Sequence, residues 1–177
     1  MVWRIKQSME IKMTKSDHHT LWELIKDIKF CMMTHRHPDG SLQSQPLTTQ
    51  NKSIDEGNSL YFFISKKSQL SNHLHDEGNV NLAYSDPSAD KYVSIAGRAQ
   101  QVYDQTTKER LWSPINKAWF PGGITDPDLE LIQIKISHAE YWNITESKMT
   151  QLFQMAKAAV TGHPPKALGE HKELSIS

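Results

Sequence analysis

Nine histidines are the first candidates for chemistry: His18, His19, His35, His37, His73, His75, His138, His163 and His171. A metal site needs imidazoles and carboxylates at spacings that converge on one point. His35 and His37 fall on one face of a predicted strand, whereas His73 and His75 sit two apart on a predicted helix and diverge. Neither pair is completed by an HExxH or facial-triad pattern, so no metal site is expected and the histidines read as solvated surface groups. Cys31, within Phe30-Cys31-Met32-Met33, has no context that would lower a thiol pKa and reads as a buried strand residue.

Two segments could face a ligand. Ser65-Lys66-Lys67-Ser68 joins a predicted strand to a predicted helix, where backbone N–H groups, two hydroxyls and two ammonium groups could cradle an anion. A solvated Lys-Lys turn is the equally weighted alternative. Ser44-Gln45-Pro46-Leu47-Thr48-Thr49 carries a proline in a predicted strand. Without an N–H for the ladder, that stretch must be an edge, a bulge, or backbone turned toward a ligand.

The elements that position these residues follow from periodicity. Ser16-Asp17 offers a cap, and Leu21, Trp22, Leu24, Ile25 and Ile28 recur at helical spacing, predicting an amphipathic helix over 17–29. Strands are expected over 30–36, 41–50, 59–64, 79–84, 91–103 and 129–142, with His37-Pro38-Asp39-Gly40 turning the first hairpin and Gly97 marking a bulge. In the last strand Ile132, Ile134 and Ile136 alternate imperfectly with Leu131, Gln133, Lys135 and Ser137. A short helix should reach Leu74, helical turns should occupy 106–118, and Met149, Leu152, Phe153, Ala156 and Val160 predict a final helix before a polar tail. Six strands with few helices suggest a small antiparallel barrel.

Composition bounds the partners. The chain of 177 residues is the size of one domain, and 20 basic against 20 acidic side chains leave no net charge. That balance removes the global basic field of a nucleic-acid or anionic-membrane binder. Only Arg4, Arg36, Arg98 and Arg110 supply guanidinium forks, so any phosphate site must lean on lysine. One cysteine excludes an internal disulfide framework and suits a cytoplasmic protein. No apolar run approaches the roughly 18 residues of a membrane span, so no membrane partner is expected.

The segments Ser44 to Thr49, Tyr61-Phe62-Phe63-Ile64-Ser65 and Lys91 to Ala99 together resemble the general stress protein 26 family, within the pyridoxamine 5'-phosphate oxidase-like flavoproteins. The likeness continues through Leu111-Trp112, Lys117 to Gly123, Ala139-Glu140-Tyr141-Trp142 and Ala156 to Gly162, in order and at matching spacing. It covers residues 17–162, leaving 1–16 as an N-terminal extension and 163–177 as a polar C-terminal tail. The resemblance implies a mainly β fold with flanking helices, a six-stranded antiparallel split β-barrel, and a homodimer with FMN at the subunit interface.

It also implies a site. The segment matching Gln45, Pro46, Leu47 and Thr48 would contact the isoalloxazine and ribityl chain, and that matching Ile64, Ser65, Lys66, Lys67, Ser68 and Gln69 the ribityl and phosphate groups. Tyr92 falls where the oxidase branch has a flavin-contacting glutamine, Trp142 matches that branch's tryptophan near the ring, and Trp119 is a further aromatic candidate. Lys148 matches a substrate-phosphate position. Against the family pattern, Gln45 replaces an arginine, Gln69-Leu70 stand where the oxidase branch has Arg-Lys, and Leu152 replaces a late arginine. Each lost charge-assisted bond removes roughly 1.5–3 kcal/mol. Two such losses weaken binding about a hundredfold, so micromolar FMN affinity is expected.

The resulting expectation is an FMN-binding general stress protein acting as a flavin-dependent oxidoreductase, with NAD(P)H or another small redox partner. Two rivals stand beside it: a noncatalytic flavin-binding or sensing dimer, and a split-barrel interaction module that has lost FMN.

Overall fold

The structure is a computed structural model describing residues 15–53, 58–143 and 170–175. Helix α1 spans Lys15–Ile25, shorter than the periodicity suggests, and buries Leu21, Leu24 and Ile25 while Trp22 and Ile28 pack at the core margin. The strands follow as β1 (Cys31–Arg36), β2 (Leu42–Leu47) and β3 (Ser59–Ser65), then helix α2 (Gln69–Asp76), β4 (Asn79–Asp86) and β5 (Lys91–Val102). Helix α3 (Gln105–Leu111) precedes two 3-10 turns at Pro114–Ala118 and Gly123–Thr125, then β6 (Leu129–Asn143) and β7 (Glu170–Ser175). The helical stretch expected over 106–118 is thus divided, because Pro114 lacks the N–H needed to continue α3.

All pairings are antiparallel, in the order β2-β1-β4-β5-β6-β3. The six expected strands form this curled sheet, matching the split-barrel architecture. A seventh strand lies where a polar tail was expected: β7 pairs with His138–Asn143, beside the half of β6 that β3 leaves uncovered. Its sequence, Glu170-His171-Lys172-Glu173-Leu174-Ser175, has too little apolar alternation to announce a strand.

The chain leaving β2 bridges the two ends of this order. Gln50 N–H donates to Tyr61 O at 2.9 Å, and the Asn51 side chain bonds both Ser59 O and Tyr61 N–H, at 2.9 and 2.8 Å. Gly97 stands at a register shift between β5 and β6, where a Cβ would meet Lys135 O at 2.6 Å. Only glycine tolerates that approach.

Alternating side chains fill the interior with Met33, Leu60, Phe62, Leu82, Ile95, Ile132, Ile134 and Ile136, covered by α1 and α2. On the opposite sheet face Leu131 joins Tyr61 and Leu111 in a smaller cluster, beside which Phe63 meets Trp112 edge-on at 5.5 Å. That cluster under α3 accounts for the imperfect alternation of β6. Among the described residues no helix is long and apolar enough to cross a membrane. The helix expected over 149–160, with Lys148 and Leu152, lies outside the described residues.

Candidate functional site

Among the described residues β2 ends the sheet order and pairs only with β1, so the proline-bearing strand is an edge there. Pro46 therefore breaks no ladder on its outer side. Gln45 and Leu47 stand opposite the buried Met33 and Cys31, and Leu47 packs against the core. Pro46 stands opposite the exposed Met32, and both Pro46 and Thr48 are exposed. The strand thus divides its residues between core and outer face.

The register carries that outer face across the molecule. Pro46 aligns with Met32, Ala83, Ser94 and Glu140 on successive strands, and two residues along lie Ser85, Tyr92 and Trp142. Tyr92 and Trp142 are a direct cross-strand pair, 39% and 37% exposed. Two broad side chains so placed give a half-covered apolar surface suited to stacking.

Ser65-Lys66-Lys67-Ser68 forms the turn between β3 and α2, as its hydroxyls favour. Ser68 caps α2 by accepting from Ser71 N–H at 3.1 Å, and its own hydroxyl donates to Ser65 O at 2.6 Å. Two further donors of the turn meet a carboxylate and a third the carbonyl of the same residue. Ser65 Oγ donates to Asp128 Oδ2 at 2.7 Å, Lys67 N–H to Oδ1 at 3.1 Å, and Lys66 N–H to the Asp128 carbonyl at 2.8 Å. The Ser65 hydroxyl bond, aided by Lys67 and Lys66, holds the Asp128 carboxyl below its usual range. The turn therefore does cradle an anion, and that anion is the protein's own. Gln69 is exposed, but Leu70 is buried in the main core.

A residue that sequence reasoning missed ties two site segments together. The Gln50 amide donates to Thr48 O at 3.0 Å and accepts from Asn116 Nδ2 at 3.1 Å. Asn116 is buried in the 3-10 turn leading to Trp119, whose indole is 76% exposed. The end of the β2 segment and the Trp119 loop are held by one side chain. Nothing in the local pattern distinguishes Gln50 from an ordinary polar residue after a strand.

The histidines correct a second expectation. His35 is buried at 5% exposure, and its ring lies 5.3 Å from that of His73, which is 4.7 Å from that of His37. Among the described residues no group of three or more His, Cys, Asp or Glu is arranged to hold a metal ion. His75 diverges as expected and reaches Glu130 Oε1 at 3.1 Å. Glu130 is buried at 2% exposure and accepts a short bond from Ser71, a buried carboxyl that the sequence reading did not single out. Cys31 is buried as expected, and desolvation pushes its thiol up to about 11.

Comparison with known proteins decides the family. The sequence profile for pyridoxamine 5'-phosphate oxidase-like proteins matches residues 16–166. The chain belongs to the pyridoxamine 5'-phosphate oxidase-like family. A general stress FMN/FAD binding protein from Xanthomonas citri is 31% identical, with TM-score 0.64 over 76% of this chain and 93% of that one. General stress protein 26 from Bacillus anthracis shares the fold, with TM-score 0.61 at 19% identity over 73% and 94% of the two chains. Protein bli-3 of Neurospora crassa is 27% identical over 148 residues, 77% of this chain and 69% of its own length.

Within this pyridoxamine 5'-phosphate oxidase-like chain, the structure groups Pro46, Tyr92 and Trp142 on one outer sheet face, with Thr48 exposed just past the end of β2. It places Gln45 and Leu47 on the inward side of β2, Ile64 in the core, and Ser65 to Gln69 along the turn from the end of β3 into α2.

Proposed function

We propose that this chain is an FMN-binding general stress protein, working as a homodimer with the flavin between its two copies and passing electrons or hydride to a small substrate. The observation that carries the reading is the position of Pro46 relative to Trp142. They share one sheet face but stand four strand spacings apart, roughly 19 Å along the sheet. A single flavin ring does not reach from one to the other. Both contact one ring only when Pro46 comes from one copy and Trp142 from the second, which favours a site between protomers.

The residues fit the ring better than the phosphate. An edge strand, flanked by exposed Met32, suits a flat heteroaromatic ring, and Tyr92 and Trp142 supply apolar contact. At the phosphate end the exposed Lys66 and Lys67 supply charge, while the Ser65 hydroxyl and Lys67 N–H are engaged by Asp128. Lysine acts as a point charge without a guanidinium's paired geometry, in keeping with micromolar binding. FMN, when bound, supplies hydride or one-electron chemistry at its isoalloxazine, and the chain's part is to orient the ring and shield it. The name of the Xanthomonas relative supports FMN or FAD as the cofactor class. NAD(P)H is the proposed electron donor, Lys148 the proposed contact for a substrate anion, and the cytoplasm the proposed compartment.

A second reading, an interaction module without flavin, draws support from the Asp128 carboxylate held inside the phosphate turn. One titration separates the two. Purified protein should carry a flavin spectrum or bind added FMN with micromolar Kd, and NAD(P)H should bleach that spectrum. No binding up to millimolar FMN would refute the flavin reading.

A further inference from the structure

Helix α2 is held to the sheet by histidines on two sides, and the two contacts answer a proton with opposite signs. On the β1 side the His73 ring lies between those of His35 and His37. Three neutral imidazoles pack well at 4.7–5.3 Å, and two imidazolium ions at that distance repel. On the β6 side His75 meets the Glu130 carboxyl, and a proton on that imidazole strengthens the contact.

The surroundings decide where protons go. His35 faces Val80 on β4 and Gln43 on β2, neither charged, while Nδ1 lies 3.4 Å from the Arg36 carbonyl. Burial, then the charges of His73 and His37, lowers its pKa. His37 Nδ1 lies 3.1 Å from Asp39 Oδ1, whose carboxyl Ser41 holds down to about 2. Beside the cluster opens a cleft of about 350 Å³, lined by His37 and His73 together with Arg36, Asp76 and Glu77. His37 thus has the Asp39 carboxylate beside it, with Asp76 and Glu77 lining the same cleft, and Arg36 is drawn to Glu77 at 3.8 Å. No carboxylate among the described residues reaches His35, and burial opposes its protonation while the stack is closed. Among the described residues the Nδ1 atom of His73 is buried without a hydrogen-bond partner, so the closed stack is already short of one polar contact.

We propose that α2 is a pH-operated rocker: acidification releases its His73 side from β1 while its His75 side stays held at Glu130. Because Ser68 both caps α2 and closes the Ser65–Ser68 turn, the motion reaches that turn directly. The proposal does not rest on bound flavin. It gives the molecule an acid response at the one helix carrying the anion-cradling turn.

Hydrogen exchange of the full-length protein at pH 7.5 and 5.0, corrected for intrinsic rates, tests it. Exchange of amides 70–76 should rise about tenfold or more at pH 5.0, since each proton taken up on opening contributes up to a factor of ten per pH unit. His35→Val and His73→Leu should each remove that rise, and His75→Gln should enlarge it. An unchanged wild type, the same rise in both stack variants, or a rise abolished by His75→Gln would overturn the proposal. Imidazole NMR of the unmodified protein gives an answer that needs no variant. The His35 ring should titrate together with the α2 amide shifts, and a His35 that titrates while those shifts stay fixed refutes the rocker.

Discussion

Ser65 donates its hydroxyl to Asp128 Oδ2 at 2.7 Å, joining the last residue of β3 to the residue that precedes β6. Lys67 N–H binds the other carboxylate oxygen, so one ionised group organises the whole turn before α2. The Asp128 carboxyl lies below its usual range mainly because of the Ser65 bond. A depressed folded-state value adds stability that is present above the unfolded value near 3.9 and is lost as pH falls through the folded one. Asp128→Asn should therefore melt lower than wild type at pH 7, with the gap closing below about pH 4. Thermal melts from pH 3 to 7 check this, and a gap independent of pH would mean that the charge is not what matters.

The same turn illustrates what a sequence carries and what it withholds. Ser, Lys, Lys and Ser at a strand-to-helix junction announce an anion cradle, because those side chains and N–H groups act locally. That the anion is Asp128, some 60 residues on, depends on β3 pairing with β6, which local spacing does not encode. Strand alternation made most of the sheet legible, and the proline narrowed β2 to an edge, a bulge or a ligand-facing stretch, of which the structure shows the edge. His35 was misread because a polar residue at an inward strand position looks the same as one facing solvent. Glu130 and Gln50 escaped notice for a related reason: their partners come from α2 and from the 3-10 turn before Trp119.

Two of the positions that lack the family's basic residue, Gln45 and Leu70, should respond differently to restoration. Gln45 is half-buried on an edge strand rather than enclosed in the core, so Gln45→Arg should be tolerated and should tighten FMN by about tenfold, the worth of one modest charge-assisted bond. Leu70 is 3% exposed in the core, so Leu70→Lys buries an amine in place of an aliphatic side chain. That variant should lose about 3 kcal/mol of stability. FMN titration by fluorescence quenching, paired with urea denaturation, reads both. Equal tolerance of the two substitutions would contradict the burial of Leu70.

Packing at the β5–β6 bulge leaves no space for a methyl group. A Cβ at Gly97 would sit 2.6 Å from Lys135 O and 2.7 Å from Ile134 Cγ2, and one of those atoms is backbone. Gly97→Ala should cost about 1–3 kcal/mol, read as a lower urea midpoint. An unchanged midpoint would show that β6 yields freely there.

Cys31 should be chemically silent in the folded protein. It is 1% exposed and its thiol is pushed up to about 11 by desolvation, so almost no thiolate exists near neutral pH. Iodoacetamide at pH 7.5 should leave the native protein unlabelled and modify it fully in denaturant. Rapid native labelling would require β1 to open.

A site built from two copies makes a prediction that a site within one copy does not. Pro46 and Trp142 lie four strands apart on the sheet, so substitutions at the two positions should complement each other in mixed dimers. Pro46→Asp and Trp142→Ala homodimers should each lose flavin. In a heterodimer of the two variants, one flavin site combines the intact Pro46 of one copy with the intact Trp142 of the other, while the second site carries both defects. Co-expressed and separated by different affinity tags, that heterodimer should bind about one flavin per dimer, because intact complementary surfaces retain their contacts. If each site lay within a single chain, every site in the heterodimer would carry one defect and flavin content would stay as low as in either parent.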